Sequence, residues 1–159
     1  MPRLGGRLLV AAVGKIKEKH WQVAQTDYVK RLGRYTDFQL VEVKDAVKRT
    51  VPQAVAKQRE GEQLLIAVAD MHRLIALTPM GRQMSSPELA NLLQREVVAY
   101  GRLSFLIGGP FGFSDEVLAA CHWQLSLSPL TFPHEMARII LLEQLYRACT
   151  ILHGEKYHK

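Results

Sequence analysis

Residues 103–114 read Leu103-Ser104-Phe105-Leu106-Ile107-Gly108-Gly109-Pro110-Phe111-Gly112-Phe113-Ser114. An apolar run that ends at two glycines reads as a buried strand entering a turn, and Ser114 with Asp115 and Glu116 then opens a short helix. The pattern recurs at once. Trp123–Leu127 reads as a strand, residues 128–133 as an ordered loop, and Pro133-His134 as the start of a long helix that Gly154 stops. The two loops follow strand ends, the place where open α/β folds bind ligands, and together they form two walls of one pocket.

Working outward, the upstream chain keeps the same alternation. Leu8–Val13 is an apolar run, as expected for a strand covered on both faces. His20–Leu32 places Trp21, Ala24, Tyr28 and Leu32 at helical spacing, and Phe38–Val43 alternates as a strand should. Val51–Ala69 is helical again, with Gly61 costing about 1 kcal/mol relative to Ala unless close packing needs the gap. Leu74–Thr78 reads as a short strand closed by a tight turn at Thr78-Pro79-Met80-Gly81. Ser86-Pro87-Glu88 reads as a capped helix start, and Gly101 ends that helix after Tyr100. Five strands alternating with five helices predict a single α/β domain over residues 1–159, with a mainly parallel five-stranded sheet and helices on both faces.

Composition narrows the class. Of 159 residues, 48% are hydrophobic and 23% charged, a balance that forms a core without staples. The two cysteines, Cys121 and Cys149, have no CxxC spacing and suit a reducing compartment. The six-residue apolar run near the N-terminus is too short for a signal peptide, and no stretch approaches a membrane span, so a cytoplasmic protein is expected. Residues 1–60 carry 13 Lys and Arg against 6 Asp and Glu, while residues 61–159 carry 8 against 9. The positive excess lies wholly in the first part and suggests a polyanionic partner there, although a solvated basic surface would look the same.

The candidate chemistry is sparse. His20, His72, His122, His134, His153 and His158 form no chelating pair with acids or cysteines, so no metal is expected. No Gly-x-Ser-x-Gly turn marks a serine nucleophile, and the glycines at 108–112 fit neither dinucleotide nor triphosphate motifs. The loop Leu127-Ser128-Pro129-Leu130-Thr131-Phe132 offers backbone groups and apolar walls without charge, as a neutral planar base requires. Arg147 follows Glu143 by four residues, and Arg138 follows His134 likewise, which reads modestly as surface helix pairing. The tail His153-Gly154-Glu155-Lys156-Tyr157-His158-Lys159 reads by default as a frayed basic end, yet its aromatic, imidazole and ammonium groups together could bind and titrate a nucleobase. Ile139, Ile140, Leu141 and Leu142 point around the whole helix, which predicts packing against a second copy of the chain.

Ile107-Gly108-Gly109, Leu127-Ser128 to Phe132-Pro133-His134, Glu143 to Tyr146-Arg147-Ala148 and Tyr157-His158-Lys159 together resemble the ribosomal large-subunit pseudouridine-N3 methyltransferases, a family of the SPOUT class. Val13-Gly14-Lys15 and Glu60-Gly61-Glu62-Gln63 extend the resemblance over nearly the whole chain. It implies a homodimer, a C-terminal trefoil knot and an S-adenosyl-L-methionine pocket. By this resemblance Leu77, Gly108 and residues Leu127, Ser128, Pro129, Leu130, Thr131 and Phe132 contact the cofactor, and Gly109 joins them by its place in the turn. His134, Arg147, Tyr157 and His158 fall on the side of the substrate, large-subunit (23S) ribosomal RNA within the ribosome. Where some relatives end in Arg, Lys159 keeps the charge without the planar fork. A non-catalytic ribosome-associated module of the same fold and a flavodoxin-like cofactor enzyme are the alternatives.

Overall fold

The computed structural model describes residues 4–159. Five strands alternate with five helices: β1 (Arg7–Val13), α1 (Lys19–Leu32), β2 (Asp37–Val43), α2 (Gln53–Ala67), β3 (Arg73–Gln83), α3 (Ser86–Tyr100), β4 (Arg102–Ile107), α4 (Asp115–Ala120), β5 (Trp123–Ser126) and α5 (His134–Leu152). The sheet order is β2-β1-β4-β3-β5, and every pairing is parallel.

Strand periodicity sorts the core into two clusters. Leu8, Val10 and Ala12 of β1 join Leu103, Phe105 and Ile107 of β4 in one cluster, with α1, α3 and α5. Leu9, Ala11, Val13 and Leu106 point the other way, where α2 and α4 cover them. Both faces are therefore buried, as the continuous apolar runs require. Among the described residues no helix is long and apolar enough to cross a membrane.

Two readings need correction, and the condition attached to Gly61 is met. β3 does not stop at a turn before Gly81; it runs on to Gln83, and its pairing with β5 shifts register between Leu77 and Arg82. Gly81 makes this possible, because a Cβ there would lie 2.5–2.6 Å from backbone atoms of Gln124 and Leu125. The cap of α3 is Ser85, which with Glu88 forms a reciprocal capping box, while Ser86 Oγ donates to Gln144 Oε1 on α5 at 2.6 Å. The gap at Gly61 is a packing requirement, since a Cβ would meet Ser114 Oγ at 2.6 Å and Val117 Cγ2 at 2.9 Å.

The long helix finds more cover than its sequence suggests. α5 packs between α1 and α3, so Ile139, Leu141 and Leu142 are buried within one chain. Ile140 is left half-buried, as are Met136 and Ala137.

Candidate functional site

Strands β3, β4 and β5 end around a cavity of about 490 Å³. Leu77 from β3 and Ile107, Gly108 and Gly109 from the end of β4 form one side. Leu127, Ser128, Leu130, Thr131 and Phe132 form the other, and His134 with Ala137 closes it from the first turn of α5. Of the residues expected on the cofactor side, only Pro129 lies outside the lining; it is exposed. Thr78 and Pro79 line the cavity as well, which the turn reading hid.

Local hydrogen bonds shape both walls before any ligand arrives. Gly112 N–H donates to Gly109 O at 3.0 Å and closes the first turn. In the second, Ser126 Oγ donates to Ser128 O at 3.2 Å, and Leu130 N–H donates to Ser128 Oγ at 3.0 Å. Gly109 is needed for space. A Cβ there would come within 2.7 Å of Glu60 Oε1, so the backbone lies flat on this carboxylate.

Glu60 packs beneath this turn, a placement that sequence reasoning missed. It is 2% exposed; its Oε2 accepts from Ala46 N–H at 3.0 Å, and its Oε1 has no hydrogen-bond partner. Burial raises its carboxyl above the usual range, against the pull of the Ala46 N–H and the nearby His134. No pattern in a single sequence separates such an acid from a solvated one on a helix.

Arg138 departs from its surface reading as well. It is 1% exposed rather than part of a surface pair. Its Nη2 donates to Gly14 O at 2.9 Å and Val13 O at 3.3 Å, and its Nη1 pairs with Glu42. The guanidinium thus anchors the start of α5 to the end of β1. His134 Nε2 lies 3.4 Å from Val13 O, so in a neutral ring donating there the lone pair is on Nδ1.

The remaining expected site residues lie elsewhere. Arg147, Tyr157 and His158 gather at the far end of α5, outside the cavity lining. Glu143 Oε1 accepts from Arg147 Nη2 at 2.7 Å and from Tyr157 Oη at 3.0 Å. Arg147 Nη1 stands 3.3 Å from His158 Nδ1. Burial first, and then the bond to Glu143, pushes the Tyr157 phenol up to about 12, which keeps it neutral near pH 7 and makes it a donor. His134 and Arg147 are 13 residues apart, which on one helix is about 20 Å.

The basic residues divide in the same way. Lys15 and Lys17 follow β1, and Lys44, Lys48 and Arg49 follow β2, on the same carboxyl edge of the parallel sheet as the cavity but outside its lining. Arg31 lies at the end of α1, with its guanidinium 5.3 Å from the Tyr146 ring, close to the tail.

Residues 7–158 match the family described as predicted SPOUT methyltransferase, and the chain belongs to that family. Enzymes of this class take their methyl group from S-adenosyl-L-methionine. The chain is 42% identical over 156 residues to the ribosomal RNA large subunit methyltransferase H of Heliobacterium modesticaldum, covering 94% of this chain and 97% of that protein. It is 39% identical over 157 residues to the protein of the same name from Alkaliphilus oremlandii, covering 96% and 99%. Its fold also resembles two solved structures. One is a probable methylase family protein from Haemophilus influenzae (TM-score 0.56, 17% identity, 98% of this chain and 71% of that one). The other is a probable methyltransferase from Bordetella pertussis (TM-score 0.54, 15% identity, 92% and 95%). Membership in an enzyme family sets aside the non-catalytic and flavodoxin-like alternatives.

Proposed function

We propose that the chain methylates N3 of a pseudouridine in large-subunit ribosomal RNA, as a homodimer in which the tail of one subunit completes the cavity of the other. The observation that carries this reading is the distance along α5. His134 lines the cavity, while Arg147 stands 13 residues along the same helix, a rise of about 20 Å, with Tyr157 and His158 gathered beside it outside the lining, so one chain alone does not bring them together. Exposed apolar side chains at Met80, Phe111 and Leu130, near or on the cavity, supply a surface for the second copy. The names of the relatives support ribosomal RNA as substrate. The knotted threading of the C-terminal third belongs to the same reading.

The cavity fits S-adenosyl-L-methionine: 490 Å³ lies within the range of about 300–1,000 Å³ for small-molecule sites, and apolar walls alternate with backbone amides and carbonyls. When bound, the cofactor supplies an electrophilic methyl group. The protein must then orient the base, accept the N3 proton and stabilise negative charge spreading onto the flanking carbonyls. Arg147, whose charge Glu143 holds firmly in place, is the group for that charge. His134 or His158 handles the proton, because Tyr157 stays protonated. Tyr157 instead stacks on the base or accepts a hydrogen bond from it, its one O–H being committed to Glu143. The basic loops after β1 and β2 meet RNA phosphates near the cavity.

Calorimetric titration with S-adenosyl-L-methionine, followed by methyl transfer to ribosomal RNA, tests this. Arg147→Ala should leave cofactor affinity within about twofold and lower transfer by about 100-fold or more, the scale of one lost charge-stabilising donor. Absence of cofactor binding, or unchanged transfer in the variant, would refute the assignment.

A further inference from the structure

Sequence spacing gives Glu143 the role of partner in a helix-surface ion pair. The structure gives it more to do. Its side chain is 18% exposed, and its carboxylate gathers donors from three residues. Oε1 accepts from Arg147 Nη2 at 2.7 Å, Arg147 Nε at 3.1 Å and Tyr157 Oη at 3.0 Å. Oε2 accepts from Gln144 Nε2 at 2.9 Å. A pair that served only helix stability would need Arg147 alone, and would be worth a few tenths of a kcal/mol. Tyr157 comes from beyond the end of α5, 14 residues later in the chain.

Two consequences follow from this geometry. With Nε and Nη2 both committed to Glu143, Arg147 keeps Nη1 as its outward donor, beside His158. The Tyr157 ring is also fixed. It stands edge-on to Tyr146 at 4.9 Å, with the Arg147 guanidinium 4.8 Å from its centroid. Beyond Gly154, Glu155 is held by its N–H to Thr150 O at 3.0 Å and by its carboxylate accepting from Tyr35 Oη at 2.7 Å, and the last turn of the tail is held through the side chain of Tyr157. A tail ordered in advance spares the ordering cost that would otherwise fall on substrate binding.

We infer that Glu143 is a positioning residue for methyl transfer: its carboxylate locks the tail through Tyr157 and turns Arg147 so that one guanidinium edge faces the substrate. The inference rests on the tail assignment proposed above. It assigns Glu143 no contact with substrate or cofactor.

The test uses the full-length protein with Glu143→Gln, Tyr157→Phe and the double variant. Glu143→Gln keeps the shape of the side chain and removes its charge. It should lower kcat/KM for ribosomal RNA by about 10- to 100-fold, as expected when charge-assisted hydrogen bonds are lost, with S-adenosyl-L-methionine affinity unchanged within about twofold. Adding Tyr157→Phe should cost little more, because both changes break one linkage. Trypsin should cut after Lys156 about tenfold faster in Glu143→Gln, since cleavage follows the opening of the tail. Single effects that multiply independently in the double variant, or a cleavage rate equal to the parent's, would overturn the inference. Failure of the underlying reading looks different: Arg147→Ala and Tyr157→Phe would then leave transfer untouched, while cleavage would still report whether Glu143 holds the tail.

Discussion

Replacing Arg138 by alanine tests whether one buried cation ties the cavity end of α5 to the sheet. The guanidinium is 1% exposed and donates to the carbonyls of Val13 and Gly14, to Glu42 and to Gln25. Truncation leaves two carbonyls short of a donor, at about 1–3 kcal/mol each where water cannot replace it. Glu42 suffers less, because its side chain is 26% exposed and can be rehydrated. Breaking a buried pair typically costs about 3–5 kcal/mol, and the Gly14 carbonyl left without the guanidinium, with that of Val13 left to His134 Nε2 at 3.4 Å, places Arg138→Ala in that range. Against a total of about 5–15 kcal/mol this is a large loss. Urea unfolding at fixed protein concentration measures it: with an m value of about 2 kcal/mol/M, the midpoint should fall by about 1.5–2.5 M. Arg138→Met restores much of the volume, so the difference between the two variants isolates the polar part. A midpoint within about 0.3 M of the parent's in Arg138→Ala would refute the reasoning, because the unpartnered Nε would then cancel everything the other nitrogens gain.

Two further variants probe the walls of the cavity. Gly81→Ala places a Cβ 2.5–2.6 Å from the backbone of β5, where no side chain can swing aside; stability should fall by about 3 kcal/mol, the upper part of the overpacking range, and cofactor affinity should fall with it. Thermal unfolding and calorimetry read both, and unchanged values would mean that β3 and β5 do not approach so closely. Glu60→Gln should raise the melting temperature at pH 7 by a few degrees. Burial raises the carboxyl in the fold, so the penalty on its charged form is absent below the ordinary value of 4.5, grows as pH rises from there towards the higher folded value, and is fully present above it. The gain should therefore vanish as melting is repeated down to about pH 4; a gain that persisted there would point to packing instead of charge.

Much of this architecture was legible because strand and helix periods are local. The apolar run at Leu8–Val13 and the alternation at Phe38–Val43 needed no tertiary knowledge, and both became parallel neighbours. What escaped was set by partners distant in sequence. Pro79 and Gly81 looked like turn residues, yet Gly81 is there because the backbone of β5 lies against it. Arg138 looked like half of a surface pair because helix spacing sees only its own helix and not the carbonyls of β1. The two loops after β4 and β5 were placed on one cavity by their position at strand ends; Leu77 came only from the family resemblance, Pro129 lies outside the lining, and Thr78 and Pro79 were not foreseen in it. The separation of His134 from the tail follows from helix length alone, but the way Glu143 gathers Arg147 and Tyr157 does not.

The central pairing of the sheet has a consequence for how the chain is made. Arg7 pairs with Arg102, so β1 acquires its β4 neighbour only after 95 further residues have been synthesised. At about 5–20 residues per second, the nascent strand waits roughly 5–20 s with one edge open. Until then β2 is its only companion, and the sticky edge of Leu8–Val13 is the segment that chaperones have most reason to shield during translation.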